Sequence, residues 1–180
     1  FYANTVIEGV MEARADVTTD TREQLLAEAY CLRAFVHFDL INLYAKWYDP
    51  ATAATDKAVP LSLKIDIGQS FIPTTVEKVY EQVLADLQEA EKYMQVEQQT
   101  GAYLYRFSKK ALKAFQARVY LYHQDWKQAQ ETAESLLAAC PLEDLTTTEA
   151  QPWTYTSKEA ILALETVSST VMKEDMYVLD

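Results

Sequence analysis

Apolar residues return at steps of three and four along most of this chain, and the places where they stop returning divide it. In "TREQLLAEAYCLRAFVHFDLINLYAKWY" the residues Leu25, Ala29, Leu32, Val36, Leu40 and Leu43 fall on one stripe. That stripe predicts the buried face of a helix of about seven turns, with Asp20 or Thr21 as its cap. Val6, Val10 and Met11 make a weaker pattern ahead of the turn-forming "DVTTDT" and predict a first helix over about residues 2–13.

From Asp49 to Pro73 the periodicity stops. "DPATAATDKAVPLSLKIDIGQSFIP" carries three prolines, a glycine and one β-prone run, "LSLKIDI". Such a long excursion between helices is usually functional or disordered. Thr74 followed by Glu77 is a capping-box pattern, and Val76, Val79/Tyr80, Val83, Leu87, Ala90 and Met94 form the stripe of a third helix with an acidic outer face. Gly101 sits in the next break. Ser108 then caps a fourth helix with a basic start, whose core face is Leu112, Phe115, Val119 and Tyr122. A fifth begins near Trp126, places Ala129, Ala133, Leu136, Leu137 and Cys140 on its apolar side, and stops at Pro141.

The fold expected is therefore mainly α, built of paired helices over residues 1–141, with a long loop at 49–73. Beyond Pro141 the pattern changes. "EDLTTTEAQPWTYTS" reads as loop, and "EAILALETV" reads as a strand, although its Ala and Leu also allow a helix. Residues 142–180 are thus the loop and the start of a second, small mixed subdomain. The chain ends at "MYVLD" with neither a cap nor a polar tail, so we expect it to be truncated.

Composition agrees with helices and narrows the partners. Three glycines and five prolines in 180 residues are few, and Ala, Leu, Glu, Gln and Lys are plentiful. A formal net charge of −11 opposes binding to nucleic acid or to an anionic membrane surface. No run of apolar residues is long enough to span a bilayer. Cys31 and Cys140 lack metal-ligand spacing and read as small buried hydrophobes.

The densest polar cluster is "ARVYLYHQDWKQA". It reads as the corner of a tetratricopeptide-type helix pair, with Ala117 and Ala129 where the helices cross, Tyr120 the aromatic, Asp125-Trp126 the turn and Pro141 the closing residue. Gln124 stands where such repeats usually carry glycine, and Ala133 where they usually carry an aromatic. One repeat cannot bury its faces alone, so neighbouring helices are needed.

Taken in order, "LLAEAYCLRAFVHFDLINLYA", "VPL", "TTVEKVYEQVLADLQEAEKYM" and "YRFSKKALKAFQARVYLYHQDWKQAQETAESLL" resemble the amino-terminal, TPR-like half of the SusD/RagB family over about residues 20–141. A fainter likeness continues into "EAILALETV" and "MYVLD". The resemblance implies a non-catalytic, lipid-anchored protein exposed on the bacterial outer membrane. It would bind glycans, or peptides in some relatives, and deliver them to a TonB-dependent (SusC-type) transporter. The anchor would lie upstream of Phe1. Family members commonly run from a glycine-rich turn straight into Val-Pro-Leu, whereas here Trp47-Tyr48-Asp49-Pro50 and a polar insertion precede Val59-Pro60-Leu61. The alternative is a cytosolic TPR-type adaptor that holds a partner peptide against a basic or asparagine-lined groove.

Candidate chemistry is sparse. His123 and Asp125 are two apart and do not face each other on a helix, so His123 reads as an end-of-helix residue, and His37 as the polar flank of a packed one. Glu77, Glu81, Asp86, Glu89 and Glu91 spread round their helix as a solvated face, while Arg33, Arg106 and Arg118 read as scaffold. With no nucleophile, metal cluster or phosphate loop, neither an enzyme nor a cofactor is expected.

Exposed aromatics carry the best claim, because a flat ring covers the C–H face of a sugar while nearby polar groups take its hydroxyls. Trp47 and Tyr48 at a helix-to-loop junction, followed by Asp49 as a hydroxyl acceptor, are the expected ligand contacts. Tyr103, Tyr105, Trp153 and Tyr155 are weaker loop candidates. Tyr120, Tyr122 and Trp126 read as packing residues.

Overall fold

The computed structural model of the chain describes residues 1–14, 20–66, 68, 70–140, 142, 146, 157 and 159–164. Among the described residues five helices follow one another: α1 (Tyr2–Gly9), α2 (Arg22–Tyr44), α3 (Val76–Tyr93), α4 (Lys109–Tyr122) and α5 (Trp126–Ala139), with a 3-10 turn at Gly101–Tyr103. Among the described residues there is no strand, only an isolated antiparallel bridge between Lys57 and Thr75. The mainly α expectation holds. No helix among the described residues is long and apolar enough to cross a membrane.

Helices α2 to α5 begin where a side-chain oxygen can take an orphan N–H, while α1 starts at Phe1 without such a cap. Thr21 accepts from Gln24, Thr75 from Lys78, Ser108 from Ala111 and Asp125 from Gln128. The cap of α3 is thus Thr75 and not Thr74. The carbonyl of Thr74 takes the N–H of Ala58 at 2.8 Å, which draws it into the bridge and starts the helix one residue later. α1 stops at Gly9, short of the predicted residue 13, because it buries only Asn4 and meets a poor helix former.

α2 corrects the expected stripe in part. Ala29 is buried and Leu40 packs on the core as expected, but the face that meets the core is Ala27, Cys31, Ala34, Phe38 and Ile41, whereas Leu32, Val36 and Leu43 are exposed, Leu43 by 73%. The helix is apolar on two sides, and α3 takes the side whose small residues let the two helices approach closely. α3 brings Val76, Val79, Tyr80, Val83, Leu87 and Ala90 to that contact, as its stripe predicts. Phe38 lies at the centre, edge-on to Tyr80, Phe115 and Tyr122 with centroids at 6.3, 5.5 and 5.3 Å.

α4 buries Leu112, Phe115 and Val119 as expected, but Tyr122 is half exposed. Among the described helices α5 packs chiefly on α4 and buries only Ala129, and of its expected core face Leu136 is half-buried and Leu137 exposed.

Two arginines knit the helices. Arg33 makes a bidentate pair with buried Asp86 at 2.6 and 2.9 Å and also donates to Asn4 Oδ1 and the Leu63 carbonyl. Asn4 donates to the carbonyls of Ser62 and Lys64, and Glu8 accepts the N–H of Ile65. Residues 61–66 of the β-prone "LSLKIDI" therefore meet side chains from α1 and α2 with their backbone and form no strand. Asp86 belongs to this interior network, a correction to its expected place on a solvated face. His37, expected as a polar flank, is buried, and its Nε2 accepts the N–H of Ser62 at 3.4 Å. Arg106 binds Glu28 and Asp20 in the same scaffold manner. Lys113 lies 3.9 Å from Glu91 and so joins α4 to the acidic face of α3.

Of "EAILALETV", residues 159–164 are irregular, and the N–H of Ala163 reaches the Leu104 carbonyl at 3.2 Å. Pro141 and most of the predicted second subdomain lie outside the described residues.

Candidate functional site

Just past the end of α2 the chain meets the corner between α4 and α5, where the Gln124 side chain reaches the Tyr48 carbonyl. Tyr44 is the last helical residue, and Ala45 leaves in an extended conformation. Successive side chains of an extended segment point to opposite sides. Tyr48 accordingly packs inward, with its ring 5.2 Å from Tyr80 and 4.1 Å from His123. Trp47 is thrust outward and is 92% exposed. Lys46 Nζ holds Asp56 Oδ1 at 2.6 Å, and Gln124 Nε2 donates to the Tyr48 carbonyl at 2.6 Å, so both ends of the short strap are pinned.

The result is a cleft of about 640 Å³. Asn42, Lys46, Trp47 and Tyr48 line one wall, and Tyr122, Gln124 and Trp126 the other. Trp126 opens α5 and is 61% exposed, which corrects its reading as a packing residue, whereas Tyr122 packs edge-on to Phe38 as expected while half of it stays open to the cleft. Both are at helix ends next to the corner, where each keeps half or more of its surface exposed. Asn42 donates to the Phe38 carbonyl at 2.7 Å, leaving its oxygen as an acceptor for a ligand hydroxyl.

Asp49 does not line this cleft. Its Oδ1 accepts the N–H of Ala51 at 2.9 Å, and its carbonyl takes the N–H groups of Thr52 and Ala53, so it organises the turn that follows the strap. Of the three expected contacts, Trp47 and Tyr48 come together here and Asp49 points its chemistry elsewhere.

The site is electrically quiet. Burial pushes the Tyr80 phenol up to about 12, and burial with Glu77 and Glu81 nearby raises that of Tyr48, so both stay protonated donors. Burial lowers the pKa of His123 against the weaker pull of Asp125 and Glu81, which keeps the ring neutral at pH 7. Asp125 Oδ1 is occupied by the Gln128 N–H, so the two do not form an acid/base pair.

Tyr103 and Tyr105 border a second cleft, of about 690 Å³, whose walls include Leu25, Leu32 and Leu164 and whose side is the Arg106 ion network. Trp153 and Tyr155 lie outside the described residues. The sequence carried two signals for the second wall of the aromatic cleft: a tryptophan at the first position of a helix, and a glutamine at a corner that usually takes glycine.

Comparison with known proteins gives a consistent picture. The profile of a SusD-like family, described as starch-binding and associating with the outer membrane, matches residues 1–121. A SusD-like protein, P38, of Formosa agariphila is 32% identical over 143 residues, which are 77% of this chain and 24% of that protein. The crystal structure of a SusD-like carbohydrate binding protein from Bacteroides vulgatus superposes with a TM-score of 0.73 at 21% identity, over 89% of this chain and 33% of the other. A laminarin binding SusD-like protein gives a TM-score of 0.62 at 23% identity, over 79% and 28%. At those identities the two structures establish a shared fold. The chain spans about a quarter of the length of its curated relative.

Proposed function

The chain belongs to the SusD-like family, and from that premise we propose that it is part of a non-catalytic glycan-binding lipoprotein, surface-exposed on the outer membrane, that passes its ligand to a TonB-dependent (SusC-type) transporter. The observation that carries this reading is the aromatic cleft. Trp47 offers a bare ring face on a pinned strap, and Trp126 and Tyr122 stand opposite it.

A sugar ring lying on Trp47 would meet indole carbons with its C–H face, while its hydroxyls reach the Asn42 oxygen and the Lys46 ammonium. We place hydroxyl binding on these two residues and not on Asp49, whose carboxylate serves its own turn. The acidic surface favours a neutral glycan over an anionic one, since a formal net charge of −11 repels added negative charge at long range.

The adaptor reading needs a basic or asparagine-lined groove. Asn42 and Lys46 supply such groups at the aromatic cleft, beside two exposed tryptophans that suit sugar rings, while the exposed side of α2 offers Leu32, Val36 and Leu43.

The test is calorimetric binding of soluble starch, laminarin and a panel of neutral oligosaccharides to the full-length polypeptide carrying this sequence. Trp47→Ala should abolish or sharply weaken the interaction while leaving the melting temperature nearly unchanged. Wild-type affinity in that variant would remove the platform. Labelling of intact cells with a membrane-impermeant reagent checks the surface location, and a purely cytosolic pool would exclude it.

A further inference from the structure

Gln124 combines two features that stability alone does not reconcile. Its φ is +63°, the only positive φ at a non-glycine residue among those described. In that left-handed region a side chain meets the backbone, which is why such corners usually take glycine. The side chain of Gln124 makes a hydrogen bond at 2.6 Å across 76 residues of sequence, to the carbonyl of Tyr48. Both groups are at the surface, where water competes and a hydrogen bond contributes little to folding. The strain and the bond are of similar size, so the glutamine gives no clear gain in stability over glycine.

What the bond does fix is position. Tyr48 is the residue after Trp47, and its ring is the hinge of the strap against His123 and Tyr80 at 4.1 and 5.2 Å. Lys46 to Asp56 holds the other end. Gln124 thus links the wall that carries Trp126 to the strap that carries Trp47.

We propose that Gln124 is a positioning residue, a strained tether across the α4–α5 corner that sets the separation of the Trp47 and Trp126 faces and so the ligand the cleft accepts. This rests on the glycan-platform reading above. A glycine at the same corner would leave the fold intact and the strap loose. A loose strap must be ordered when a ligand binds, and that ordering weakens affinity.

Three variants of the full-length polypeptide separate the roles. Gln124→Gly relieves the strain and removes the tether. Gln124→Glu keeps the shape and strain but replaces the N–H donor by an oxygen that repels the Tyr48 carbonyl. Trp47→Ala removes the platform. The probe is whichever oligosaccharide from the starch, laminarin and neutral panel the wild type binds, and the second readout is the NMR titration of His123, one of only two histidines.

Gln124→Gly should melt at the wild-type temperature or above it, yet bind about three- to tenfold more weakly, the scale of one hydrogen bond. Its His123 should titrate nearer the ordinary histidine value as Tyr48 lifts off the ring. Gln124→Glu should lose affinity in the same way and melt lower. If Trp47→Ala loses binding while Gln124→Gly and its His123 titration match wild type, the tether is overturned and the platform stands. If Trp47→Ala binds normally, the platform falls, and an unshifted His123 in Gln124→Gly then overturns the tether independently.

Discussion

Two places along α2 invert the usual arrangement of residues, in opposite senses. Near its middle a charged pair, Arg33 and Asp86, is sealed inside the protein, with only 1% of Asp86 exposed. Beyond its end a tryptophan stands almost wholly in water. The buried pair is accounted for from within. Arg33 donates to Asp86, Asn4 and Leu63, Gln82 donates to Asp86, and the ions thereby hold α1, α2, α3 and the 62–64 segment in one register. Trp47 has no such account. Its neighbours are occupied with holding the strap, and its ring face meets no aromatic partner among the described residues. A satisfied buried charge is a device of the fold, whereas an unsatisfied exposed aromatic is a device for something outside it.

The sharpest way to break this comparison is to remove Arg33. Arg33→Met leaves Asp86 buried without its counter-ion and should cost about 3–5 kcal/mol of folding stability. Pairing it with Asp86→Leu should recover most of that loss, because two apolar residues leave no orphaned charge. Chemical denaturation of the single and double variants checks both. Losses that simply add would mean that the two residues act separately and that the network is not the hub described.

At the other place the energetic signature should be reversed. Trp47→Ala should lower glycan affinity by about 1–3 kcal/mol, the scale on which bases stack against aromatic side chains, with melting hardly altered. A tryptophan that closes the core would instead cost about 3–5 kcal/mol of stability. Calorimetry and thermal melting on one preparation tell these apart, and a large melting drop with intact affinity would erase the contrast between the two regions.

The same contrast explains what could be read from the sequence. α3 has one apolar side, so its stripe and its burial coincide from Val76 to Met94. α2 has two, and counting Leu25, Leu32, Val36 and Leu43 chose the bulkier one, while the packing chose Ala27, Cys31 and Ala34 for close approach. Periodicity reports that a face is apolar and is silent on which partner will take it. Trp47 and Tyr48 were legible as a pair because they break a helix. Their opposite fates follow from an extended backbone that only the tertiary structure reveals. Trp126 is more exposed than its place on a helix suggests, and Asp49 lies off the cleft, for one reason: each sits at a turn or helix end, where one hydrogen bond or one neighbour decides exposure.

Protonation gives a finer division between the regions. His37 belongs to the interior network and His123 to the cleft, and burial lowers the pKa of both. The folded protein therefore disfavours the imidazolium, and the unfolded chain binds more protons once the pH falls below the ordinary histidine value of about 6.5. Stability should be level above neutrality and should decline as the pH drops from that value through the lower folded pKa values. A melting series across this range reads the decline, and a flat profile would mean that both rings titrate as free histidines. Adding the bound oligosaccharide should then move the His123 resonances and leave those of His37 in place.

The smallest effect expected lies on the outer face of α3, away from both regions. Glu81 is exposed, and Glu89 pairs with Lys92 at 2.5 Å on the surface, where an ion pair contributes little. Reversing both charges, Glu81→Lys with Glu89→Lys, should leave folding within about 1 kcal/mol of wild type. If this acidic face docks on the transporter, the reversal should slow association most at low salt, because rim charges act chiefly by steering encounter. Co-purification from membranes at low and at raised ionic strength provides the reading. Capture of the reversed variant that falls below wild type at low salt and approaches it as salt is raised assigns the face to the partner, and capture equal to wild type at every salt concentration moves the partner to another side of the helices.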